Sequence, residues 1–88
     1  MKRLPEPVAS GKVLLSKQYS GGSAFLVELA PGMIAVIAYR GSGDPVYSRA
    51  YICSESNKKE VLLDAKRQFK YVKECLMQRK YRLLEDLD

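Results

Sequence analysis

Between Lys58 and Arg82, nine basic side chains (58, 59, 66, 67, 70, 73, 79, 80 and 82) stand against three acidic ones at 60, 64 and 74. That surplus of +6 exceeds the +5 of the whole 88-residue chain, so the basic character is local. Wound as a helix at about 100° per residue, Lys59, Lys66, Lys70 and Lys73 gather on one flank with Arg67 at its edge. Glu60, Asp64, Glu74 and Gln78 gather on the other. A lysine row at this spacing can follow a phosphate backbone, where neutralised charges release condensed counterions and supply sequence-independent affinity. The competing reading is a solvated face whose aliphatic stems cover the edge of the core.

A second set of candidates lies in Val46 to Cys53, VYSRAYIC, where apolar or small residues alternate with Tyr47, Arg49 and Tyr51. With Val46, Ala50 and Ile52 turned toward a covering helix, Tyr47, Arg49 and Tyr51 are expected on the opposite face, near Tyr39 or Arg40 of the preceding strand. Tyrosine rings stack on unpaired bases at about 1–3 kcal/mol per base, and arginine adds charge and planarity. Tyrosine and arginine are equally the residues of protein-interface hot spots, and tyrosine is a good strand former in any case.

Other chemistry finds little footing. The chain has no histidine, and Cys53 and Cys75 lie 22 residues apart without a CxxC companion, so no metal, cofactor or catalytic residue is expected. The cysteines read as two reduced thiols and point to a cytoplasmic protein. GSGD at 41–44 lacks the third glycine and the Lys-Ser/Thr ending of a phosphate loop and runs into Pro45, which makes it a hairpin loop. The start MKRLPEPVASGK carries charge but no apolar run, and the most apolar segment, 24–39, is short and broken by Glu28, Pro31 and Gly32. Neither export nor a membrane span is expected.

The elements that must position these side chains follow from period and punctuation. Residues 1–11, with Pro5, Pro7 and Gly11, read as a flexible N-terminal arm, and 12–88 as a single domain. KVLLSKQY, AFLVEL, MIAVIAYR and VYSRAYIC are rich in strand formers and are separated by SGGS, APG and GSGDP, the pattern of a four-stranded antiparallel meander. Pro31 and Gly32 suit the central positions of a type II turn. After SESN, Leu62, Ala65, Phe69, Val72 and Leu76 recur at helical steps, with Ser56 or Asn57 available as a cap. No Gly or Pro interrupts 58–88, so one helix of about 29 residues and about 43 Å is expected. The fold class is therefore α+β: a β-meander followed by one long C-terminal helix on one sheet face. MIAVIAY is apolar on both sides, which calls for cover on the second face, and a dimer would supply it. Met77, Tyr81 and Leu84 widen the apolar stripe near the end and are the expected dimer or partner interface. The closing EDLD places carboxylates where the helix dipole disfavours them, so the last turn should fray.

A small antiparallel sheet followed by a helix beginning near NKKE is similar in outline to several small DNA-binding and RNA-binding domains, including those preceding the catalytic domain of some phage integrases. The likeness spans residues 24–75 and carries no functional residue across. The leading expectation is a non-enzymatic, dimeric nucleic-acid-binding domain, for single or double strands, using the lysine flank for phosphates and the Tyr-Arg-Tyr face for bases. The alternative is a small modulator, of the kind mobile genetic elements and phages encode, that binds an acidic protein surface through the same residues.

Overall fold

Strand formers between turn signals produce β1 (Lys12–Tyr19), β2 (Gly22–Ala30), β3 (Met33–Arg40) and β4 (Pro45–Ile52). The change to helical period after SESN produces α1 (Lys58–Met77). The computed structural model describes residues 11–80; residues 1–10 of the N-terminal arm and everything from Tyr81 onward, including Leu84 and EDLD, lie outside the described residues. The strands form one antiparallel sheet in the order β1-β2-β3-β4, so each pairs with its chain neighbour as short turns dictate. The expected α+β meander with a helix on one face is the observed fold.

Two connections depend on glycine. Gly32 has φ 81° in the β2–β3 turn, the left-handed position that a type II turn requires after proline. Gly22 opens β2 so close to β3 that a Cβ there would collide with the Tyr39 carbonyl oxygen. The GSGDP segment is a hairpin loop closed by Arg40 N–H to Asp44 O at 2.8 Å and Gly43 N–H to Arg40 O at 2.8 Å.

Alternation along the central strands sorts the core into two layers. On the helix side, Ala24, Leu26, Ile34, Val36 and Ala38 pack with Ala65, Phe69, Val72, Cys75 and Leu76. On the other, Phe25, Val27, Ala35, Ile37 and Tyr39 form a second buried cluster, in which the Phe25 and Tyr39 rings meet edge to face with centroids 6.0 Å apart. All five of these residues are at most 5% exposed.

The helix is shorter than expected. At 20 residues it spans about 30 Å. It ends in a paired C-terminal closure: Lys80 N–H donates to Cys75 O at 2.8 Å and Arg79 N–H to Leu76 O at 3.1 Å, with Arg79 itself at φ 56°. This is the Schellman arrangement, normally completed by glycine, and its αL position is occupied here by an arginine. Reading only for glycine and proline therefore missed the stop. At the other end Asn57 is the N-cap residue without a side-chain cap bond. Its carboxamide oxygen instead accepts from Ser54 N–H at 2.7 Å and Ser54 Oγ at 3.1 Å, tying the β4–α1 loop rather than the first helical amides.

Candidate nucleic-acid interface

α1 is oriented by what its two flanks touch. Gln68 donates from its side-chain amide to the Tyr47 hydroxyl of β4 at 2.9 Å, and Asp64 lies close enough to β4 to act electrostatically on Tyr51. The flank carrying Asp64 and Gln68 thus faces β4. At the C-terminal end Arg79 donates to Ser20 Oγ in the β1–β2 turn at 3.3 Å. The helix leaves the β4 end of the sheet and finishes over the β1–β2 turn, with its lysine flank on the β1 side.

On that flank Lys59, Lys66 and Lys70 are exposed. At about 1.5 Å per residue Lys66 and Lys70 stand about 6 Å apart along the axis, with Lys59 about 10 Å further back. Lys73 is half-buried, its ammonium 5.4 Å from the centroid of the Phe69 ring, so part of its charge is engaged with the core edge. Arg67 separates from the row: it reaches across the outer face to Asp64 at 3.7 Å, an exposed i,i+3 pair of the sort that contributes little to stability.

The Tyr-Arg-Tyr face is corrected by the sheet register. Ala38 pairs with Tyr47, Val36 with Arg49 and Ile34 with Tyr51, and these β3 partners are helix-side core residues. Tyr47, Arg49 and Tyr51 therefore lie on the helix side, opposite to the sequence reading. The cause is a bulge between Ala38 and Tyr39, which adds a residue to β4 and lets both Val46 and Tyr47 pack toward the helix. Tyr47 is 3% exposed, its ring standing beside small Ala38. Ala50 and Ile52 turn to the other face, where Ile52 is 70% exposed. Tyr51 is half-buried, with the Arg49 guanidinium 5.3 Å from its ring centroid. Burial pushes the Tyr51 phenol up, and Arg49 draws it partly back. Tyr47 offers no ring to a base, and Arg49 and Tyr51 are separated from the lysine row by the width of α1.

Register also brings Lys12 and Lys17 to the helix side of the sheet: Lys12 pairs with Glu28, Leu15 with Leu26, Lys17 with Ala24 and Tyr19 with Gly22. A bulge at Leu14 breaks the simple alternation of KVLLSKQY and hides this arrangement from a reading by twos.

Elsewhere, Met77 is 57% exposed at the end of α1, whereas its expected companions Tyr81 and Leu84 fall outside the described residues. Cys53 and Cys75 are free thiols. Burial raises the Cys75 thiol above its ordinary range, with a Tyr71 hydrogen bond drawing it partly back, so it is protonated and unreactive at neutral pH. A depression of about 660 Å³ opens between the β1–β2 turn and the β3–β4 loop, lined by Ser16, Gln18, Ser23, Tyr39 and Ser42 among others. Among the described residues no cluster of three His, Cys, Asp or Glu side chains could hold a metal ion, and no helix is long and apolar enough to cross a membrane. The chain matches no protein-family model, no curated protein and no solved structure, so its residues alone carry the functional assignment.

Proposed function

We propose that the protein is a non-enzymatic nucleic-acid-binding module that holds the phosphate backbone along the lysine flank of α1. The observation that carries this is the exposed Lys59, Lys66, Lys70 row, with Asp64 turned to the β4 side and in an exposed pair with Arg67. Such a row presents uncompensated positive charge at spacings that suit counterion release. In fluorescence anisotropy with labelled oligonucleotides at two salt concentrations, replacing Lys59, Lys66 and Lys70 with Gln leaves folding intact. Each lost contact flattens the plot of log affinity against log salt by about 0.7–0.9 units. Unchanged affinity and slope would reduce the row to a solvated face.

A protein-binding modulator rests on a different observation, the exposure of Leu63 and Met77 on α1, apolar side chains that a partner surface would cover. Absence of any anisotropy change at micromolar protein and low salt would favour it. Homodimerisation through Met77 is the same idea applied to a second copy, and sedimentation equilibrium of wild type and Met77→Lys tests it. A cytoplasmic setting accords with two free thiols.

A further inference from the structure

The lysine flank of α1 does not stand over bare sheet. It looks toward the helix-side face of β1, an edge strand paired on one side alone, to β2. On that face Lys17 is exposed and has Ala24 as its cross-strand partner, and among the described residues no ion pair engages it. Lys12 has Glu28 as its cross-strand partner. Leu15, 39% exposed, is the next helix-side residue along β1 from Lys17. The result is a trough with one basic wall on α1 and a second basic point on β1, set on two different elements.

We infer that this trough takes a nucleic-acid duplex by its two backbones, with Lys17 as a contact that completes the α1 row, an assignment that rests on the nucleic-acid reading above. Two arguments select the duplex. The first is charge density: a duplex carries a phosphate about every 1.7 Å of axis against about 3.4 Å for one of its strands, and basic groups on two elements can serve two backbones where a single row serves one. The second is the state of the aromatic rings. Binding of single strands without sequence preference draws on exposed rings that stack on bases. On this side Phe69 is 5% exposed and sits under Lys73, and Tyr19 is packed against the helix-side core. Tyr47 is internal, Tyr51 lies across α1 on the β4 side, and Tyr71, 40% exposed on α1, is engaged by Cys75. The described part of the trough offers charge and short aliphatic surface, without a free stacking platform.

The test uses the full chain and labelled probes of stated type: a random-sequence 20-base-pair DNA duplex, an RNA duplex of the same length and a 20-nucleotide oligo(dT), each titrated at several salt concentrations. The expected result is at least tenfold tighter binding to one or both duplexes than to oligo(dT). Lys17→Gln should flatten the duplex salt plot by about 0.9 units, Lys17→Arg should restore it, and Arg67→Gln, a charge-matched change beside Asp64, should alter it less. Circular dichroism of each variant reports folding separately. Oligo(dT) binding as tight as duplex binding, or a Lys17→Gln variant with wild-type slope, overturns the trough while leaving a nucleic-acid-binding helix in place. Failure of every probe to bind at low salt overturns both.

Discussion

The hydroxyl of Tyr47 in β4 accepts a hydrogen bond from the side-chain amide of Gln68 in α1 at 2.9 Å, joining the edge strand to the helix through a side chain that is nearly inaccessible. One contact thereby fixes which flank of α1 faces β4 and leaves the lysine row on the side of β1. Tyr47→Phe keeps the packed ring and removes the acceptor, so it should cost about 0.5–1.5 kcal/mol. Tyr47→Ala should cost about 3–5 kcal/mol, as for other large buried rings. Urea denaturation gives both values, and oligonucleotide affinity of folded Tyr47→Phe should equal that of wild type. A selective loss of single-strand affinity in that variant would return Tyr47 to the surface.

Gly22 and Gly43 separate two reasons for glycine. Gly43 has φ 97° but open space where a Cβ would stand, so Gly43→Ala should cost about 1 kcal/mol of backbone strain. At Gly22 a Cβ would be driven into the Tyr39 carbonyl, and the β2–β3 pairing must part to admit it. Gly22→Ala should therefore destabilise clearly more than Gly43→Ala in paired thermal melts. Equal shifts in Tm would show that β2 can move away from Tyr39 freely.

Arg79 holds the αL position that ends α1, where glycine carries no Cβ penalty. Its side chain returns a single exposed bond to Ser20. Arg79→Gly should raise stability by about 0.5–1 kcal/mol, and Arg79→Val, β-branched and poorly suited to positive φ, should lower it. A rise in Tm with the valine variant would mean that the helix runs on through this residue instead of closing.

The strands, their order and the helical start were legible because period, glycine and proline mark them locally: APG at 30–32 and GSGDP at 41–45 turn the chain where they should. The lysine flank was legible too, since helix geometry fixes relative azimuth from the sequence alone. What failed depended on information outside any local window. The bulge beside Val46 reversed the face of Tyr47 through pairing with β3, and the bulge at Leu14 returned Lys12 to the face that Lys17 and Leu15 share through pairing with β2. Side-chain period alone cannot reveal a shift of register, because one added residue exchanges the two faces. The end of α1 was missed for a related reason, its stop being a backbone closure around arginine.

The last prediction concerns pH and the helix-side core. Cys75 is 4% exposed, and burial raises its thiol above the ordinary value of 9.0; burial likewise raises the Tyr51 phenol above 10.0. In the unfolded chain both groups lose their protons near the ordinary values, whereas the folded chain retains them to higher pH. The folded state then binds more protons than the unfolded one, so stability falls as pH rises. The contribution is complete below pH 9.0 for Cys75 and below pH 10.0 for Tyr51, and it is lost as pH climbs through each folded value. Cys75→Val removes one titrating group at similar volume, a change that costs under about 1.5 kcal/mol in a packed core. Urea midpoints measured from pH 8 to pH 10.5 should fall more steeply for wild type than for Cys75→Val, the two curves converging at the alkaline end. Parallel curves would mean that the thiol releases its proton as readily inside the fold as outside, which is incompatible with a Cys75 buried between α1 and the sheet.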